Sequence, residues 1–172
     1  MNFIGKIESV VEGLGKAASW LLLILLGSII LQICLNYLGS SITWMEELQW
    51  HLYGISALLS LSYTMTGNGH VRVDVIHQKF SVRTKQVMET LWILFALIPL
   101  YLVTFYFGLD FSYESFLRGE SSPEPGGLPY RWIVKSFISI SSLLLIVTAL
   151  LRAILIWSKP DLLNTTEIVH GD

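Results

Sequence analysis

Four long runs of apolar residues, each free of charge, divide this chain of 172 residues. No Asp, Glu, Lys or Arg lies between Lys16 and Glu46, between Glu47 and Arg72, between Glu89 and Asp110, or between Lys135 and Arg152. A helix crossing the hydrocarbon core needs about 20 mostly apolar residues. The first three runs reach that length, and the fourth reaches it if Lys135 and Arg152 snorkel to opposite surfaces. The pattern predicts an all-α integral membrane protein with four transmembrane helices, at about residues 17–38, 45–66, 88–110 and 132–157.

Outside these spans the pattern changes. In residues 1–16, Phe3, Ile7, Val10, Val11 and Leu14 recur at helical spacing opposite Lys6, Glu8, Ser9 and Glu12. This segment reads either as an amphipathic helix on the membrane surface or as an N-terminal extension of the first span. The first run is longer than the apolar region of a cleavable signal, and no small-residue cleavage pattern follows it. The turn from Gly39 to Thr43 is short, so the first two spans are expected to be antiparallel neighbours. Residues 67–86 form a basic loop in which Val71, Val73 and Val75 alternate with Arg72 and Asp74. Between Asp110 and Tyr130, Pro123, Pro125, Gly126, Gly127 and Pro129 preclude a helix. Residues 158–172 read as a polar tail.

The basic residues set an orientation. With both termini cytoplasmic, the inner side carries Lys6, Lys16, Arg72, Lys79, Arg83, Lys85, Arg152 and Lys159, and the outer side only Arg118, Arg131 and Lys135. The positive-inside rule favours that arrangement. Trp20, Trp44, Trp50, Trp92, Trp132 and Trp157 all fall near predicted span ends, where indole rings prefer the headgroup region. Composition agrees: 53% of residues are hydrophobic and 14% charged, against about 25% charged in a soluble domain. A net charge of −2 without a basic patch gives no nucleic-acid surface, and the lone Cys34 rules out an intrachain disulfide or a cysteine-based zinc site.

The candidate chemistry is sparse. No charge sits near the middle of a predicted span, where a self-sufficient carrier would place one. Only His51 among the four histidines lies in a span, which argues against haem ligation, and no nucleophile and base share a depth. The expectation is a non-catalytic protein without cofactor or metal. The spans offer packing faces instead. Glu46, Gln49, Tyr53, Ser56, Ser60 and Tyr63 form a polar stripe along the second span, and Ser139, Ser142, Ala149 and Ala153 a small-residue face on the fourth. Such faces either hold the four helices together or dock a partner. Thr43 and Glu46 have the spacing of a capping box, which accounts for Glu46, whereas Glu47 is free to pair with another subunit. Arg72 and Asp74 read either as exposed loop charges or as a specific contact.

Three stretches resemble a known family: W-M-E-E-L-Q-W at 44–50, G-H-V-R-V-D-V at 69–75, and S-P-E-P-G-G-L-P at 122–129, followed by Arg131, Trp132 and Lys135. In order and placement they are similar to the small, DctQ-type membrane subunit of tripartite ATP-independent periplasmic (TRAP) transporters. The resemblance implies a multi-pass protein of the bacterial inner membrane whose partners are a large membrane transport subunit and a periplasmic substrate-binding protein. It implies a scaffold that braces the large subunit during sodium-coupled uptake of an organic acid. Glu46, Glu47, Gln49, Tyr53, Ser56, Ser60, His70, Arg72 and Asp74 become candidate partner-interface residues. Pro123, Gly126, Gly127, Pro129 and Arg131 become the periplasmic loop motif. A reading from another class is the membrane anchor of a respiratory oxidoreductase.

Overall fold

The computed structural model describes residues 3–40, 42–66 and 80–158. They form four helices: α1 (Phe3–Tyr37), α2 (Thr43–Thr66), α3 (Val82–Leu117) and α4 (Trp132–Ser158). No strand occurs among the described residues. Ser9–Tyr37, α3 and α4 are each long and apolar enough to cross a membrane. The expectation of four such spans is therefore met by three. Although α2 has 24 residues, it opens with Glu46, Glu47, Gln49 and His51, and this polar start sets it apart.

Two helices are longer than their apolar runs. The segment 1–16 was expected to be either separate or an extension; from Phe3 onward it continues into α1 without a break. At 1.5 Å per residue, α1 is about 52 Å long and α3 about 54 Å, both well beyond a hydrocarbon core of about 30 Å. The N-terminal extension runs beside the far end of α2, where Gly15 meets Tyr63 so closely that a Cβ would lie 2.5 Å from its ring.

The third helix is not a uniform α-helix. Residues Ile93–Leu97 form a π turn in which the Ile98 amide donates to the Ile93 carbonyl. Proline at position 99 lacks an amide hydrogen, and its ring excludes the carbonyl four residues earlier. The wider turn just before it lets the backbone satisfy its hydrogen bonds without breaking the helix. Pro99 is thus accommodated by a local change of helix type, which hydropathy alone does not reveal.

The helices pack in the order α1, α2, α4, α3, with α2 and α4 in the middle and only slight contact between α1 and α4. Its interior is small and hydroxylated: Ser56, Ser112, Ser115, Ser139, Ser141, Ser142 and Thr148 are buried, while Leu23, Phe95, Leu100 and Phe107 are exposed. This reverses the sorting of a water-soluble protein and suits a lipid surround, where close packing of small residues holds helices together. Several hydroxyls are satisfied within their own helix, as in Ser56 to Leu52 O and Ser142 to Ile138 O. A compact apolar cluster of Ile93, Leu97, Leu145, Ala149 and Ile156, flanked by Ala153, joins α3 to α4. The small face predicted on the fourth span thus packs inside the chain.

Near the other end of the same interface, Gly108 abuts Ser139, whose hydroxyl would lie 2.7 Å from an added Cβ, with Ile138 at 3.1 Å. Gly108→Leu should wedge α3 from α4 and cost about 1–3 kcal/mol. Thermal unfolding in detergent checks this, and an unchanged midpoint would show that the crossing is not tight.

Polar contacts define two ends. At the terminal end, where α1 begins and α4 finishes, Gln86 Nε2 donates to Ile156 O at 2.9 Å and Trp157 Nε1 to Thr90 Oγ1 at 3.0 Å. Here Arg152 grips Glu89, with Nη2 and Nε 2.9 and 3.0 Å from Oε1, and both side chains are largely buried. Arg152 does not snorkel away from α4 as expected, because a carboxylate on α3 is within reach. Lys135 is also retained: its ammonium meets Glu120 and lies 3.9 Å from the Phe111 ring centroid.

Candidate functional site at the loop end

The loop end gathers the turn between α1 and α2 and the irregular segment 118–131. Three polar side chains tie α1 to α2. Gln32 Nε2 donates to Glu46 Oε1, and Gln49 Nε2 donates to Gln32 Oε1, each at 2.6 Å. Gln32 is buried, and each of its amide atoms has a partner, so this ladder fixes the register of the helices. Thr43 is the first helical residue rather than a cap. Glu46 therefore does not complete the predicted capping box; its carboxylate turns to Gln32 instead.

Glu47 does something else. Ser122 Oγ donates to its Oε1, and the Leu128 amide donates to its Oε2 at 2.6 Å. The loop is shaped to deliver both donors. Glu124-Pro125-Gly126-Gly127 is a β-turn closed by Gly127 N to Glu124 O at 3.1 Å, and Gly126 sits at φ +78°. Proline second and a positive-φ glycine third are what a type II turn requires. Ser122 N to Leu128 O, 3.1 Å, closes the loop. Gly127 then passes so near Glu47 that a Cβ would lie 2.9 Å from Oε2. Two of the motifs noted in the sequence thus form one latch. Glu47 was expected to seek an ion pair with another subunit, but its hydrogen bonds run to its own chain.

A second clamp lies beside the latch. Gly119 adopts φ +57°, and Glu120 N donates to Ser115 O, which ends α3 and turns Glu120 toward α4. The Glu120 carboxylate takes Lys135, with Arg131 Nη1 3.9 Å away. The hydrogen bond from Lys135, foremost, and the nearby Arg131 charge hold the Glu120 carboxyl below the ordinary carboxylate range. Deeper in, Ser112 Oγ bonds Ser136 Oγ at 2.6 Å and Trp132 O at 3.1 Å.

The predicted residues therefore part company. Glu46 and Gln49 join through Gln32, which the sequence reading did not single out. Glu47 joins Gly127 through Ser122 and Leu128. Tyr53 is exposed, Ser60 half-buried and Ser56 buried within the chain. Pro123, Gly126 and Pro129 are exposed on the loop, and Arg131 is half-buried beside Glu120. His70, Arg72 and Asp74, the alternation at 71–75 and the tail after Ser158 lie outside the described residues. No group of three or more His, Cys, Asp or Glu placed to hold a metal occurs among the described residues.

Long apolar helices with small, hydroxylated contacts between them define an integral helical membrane protein. A family model described as "Tripartite ATP-independent periplasmic transporters, DctQ component" matches residues 25–159, and the chain belongs to this family of small TRAP transporter components. No curated protein and no solved structure matches significantly. The family implies a tripartite complex with a large membrane subunit and a periplasmic binding protein. The resemblance drawn from the three motifs is thereby borne out, and the oxidoreductase-anchor alternative has no support.

Proposed function

We propose that this chain is a non-catalytic scaffold that braces the large transport subunit during sodium-coupled uptake of an organic acid handed over by the periplasmic protein. The family match carries this reading, and the use of the polar residues supports it. Gln32, Glu46, Gln49, Glu47, Glu89 and Arg152 are engaged in helix register, a loop latch and an ion pair. A rigid support calls for that economy; a translocation pathway calls for polar groups around an open route.

In this reading α2 is the fourth span, its polar start lying at the outer headgroup level. The loop end then faces the periplasm, both termini are cytoplasmic, and the membrane is the bacterial inner membrane. The excess of Lys and Arg at the terminal end supports that orientation. The exposed loop around Pro123, Gly126 and Pro129, held by Glu47 and flanked by Arg131, is positioned to meet the periplasmic protein. His70, Arg72 and Asp74 would contact the large subunit from the cytoplasmic side.

Uptake measured in vesicles containing the large subunit, with the binding protein and a sodium gradient supplied, should require this chain. Omitting it should reduce transport to background while the large subunit remains in the membrane. Undiminished transport without the chain would refute the scaffold reading.

A further inference from the structure

The start of α3 gathers positive charge that nothing among the described residues answers. Ser81 caps the helix: the Thr84 amide donates to its Oγ at 3.3 Å, and the two hydroxyl oxygens lie 2.8 Å apart. The Lys85 amide begins the helical ladder on Ser81 O, which leaves the Val82 and Arg83 amides without a helical partner at an exposed helix end. No acidic residue stands in this first turn, where the helix dipole favours an anion. Arg83 and, just beyond it, Lys85 stand there instead.

Lys85 is the unusual one. It is only 8% exposed, yet its ammonium forms no hydrogen bond or ion pair among the described residues. Glu89, one turn further on, is gripped by Arg152 and not by Lys85. A buried cation without an anion is costly, so its tip calls for a negative group. Helical side chains lean toward the N-terminus, and a lysine stem packs while its head stays accessible. The Lys85 ammonium is thus carried toward the start of α3 from one side. Arg83, exposed and two residues earlier, brackets the same helix end from the opposite side.

The surface beside this end says what carries the anion. Toward the apolar core from Arg83, at successive turns of one helix face, Val87, Leu91 and Phe95 are all exposed. A cation heading an apolar stripe matches a phospholipid, with its phosphate at the top and an acyl chain below. The exposed Trp92 and Trp157 mark the headgroup level. Lys85 lies about 10 Å beyond Trp92 along the helix, on the side away from the hydrocarbon.

We propose that the start of α3 binds the phosphate of one anionic phospholipid between Lys85 and Arg83, with an acyl chain along Val87, Leu91 and Phe95. The site needs only that the chain spans a membrane, so it stands apart from the scaffold reading.

The test uses the full chain purified in detergent, with added phosphatidylglycerol or zwitterionic phosphatidylcholine counted as bound lipid by native mass spectrometry. The chain should retain one phosphatidylglycerol about twentyfold more tightly than phosphatidylcholine. Arg83→Gln and Lys85→Met should each lower that preference about fivefold, the worth of one basic contact near a membrane surface. Lys85→Arg should keep it, as should Arg118→Gln, which changes an exposed cation paired with Glu114 at the loop end. Lys85→Met removes a buried charge and keeps the bulk of the stem, so its thermal unfolding should come no earlier than that of the parent chain. A preference untouched by both Arg83→Gln and Lys85→Met would overturn the site. So would a preference lost only in variants that also unfold earlier. Displacement of the bound lipid by millimolar inorganic phosphate alone would assign the site to free phosphate and overturn the lipid.

Discussion

Arg152→Ala should destabilise the chain by about 3–5 kcal/mol, the largest single-residue effect expected here. The guanidinium and the Glu89 carboxylate are each less than a fifth exposed and lie 2.9 Å apart between α3 and α4. Removing the cation takes the ion-pair partner from a largely buried carboxylate at the interface that also holds the Ile93, Leu97, Leu145, Ala149 and Ile156 cluster. The cost comes mainly from leaving a largely buried charge uncompensated by its cation. The paired substitution Glu89→Gln with Arg152→Met should therefore recover most of the stability, since neither variant residue is ionised. Thermal unfolding of the two single variants and the double variant in one detergent gives the coupling directly. Additive losses would mean that the pair contributes little.

The second large effect concerns the latch. Glu47→Ala should free the 122–128 loop without melting the helices, because both donors that reach Glu47 come from that loop. The amide of Leu128, which donates to Glu47 Oε2, reports on it directly. Its hydrogen exchange should become roughly tenfold faster or more, while amides within α4 keep their protection. Gly127→Val should have the same effect by another route, since its side chain would press on Ser122 and Glu47. Glu47→Gln, which keeps an acceptor oxygen, should fall between. If Leu128 exchange is the same in all three variants, the loop is held by something other than Glu47. If the loop helps receive the periplasmic protein, the two disruptive variants should slow uptake more than they lower helix stability.

Both predictions rest on contacts between residues far apart in sequence. Hydropathy and helical period are local properties, and they were sufficient to locate the helices but not to bound them. Charge-free runs located α1, α3 and α4, and the small residues on α4 marked a packing face that is indeed buried. They also explain the misreadings. An apolar run marks where a helix can sit in lipid, not where the helix ends, so α3 begins and finishes well outside 88–110. Spacing alone also made Thr43 a cap for Glu46, when a buried glutamine on the preceding helix offered the carboxylate a better partner.

By itself, then, the sequence determined the helical membrane character of the protein, its family and the residue types at its loop end. Those follow from composition and from short motifs, each readable within about ten residues. Which groups meet was decided only by the tertiary structure: Glu47 with a loop 75 to 81 residues away, and Glu89 with a cation 63 residues away. Such pairings depend on how far each helix slides and rotates against its neighbour. That register is set by close contacts such as Gly15 on Tyr63 and Gly108 on Ser139, and no local pattern encodes them.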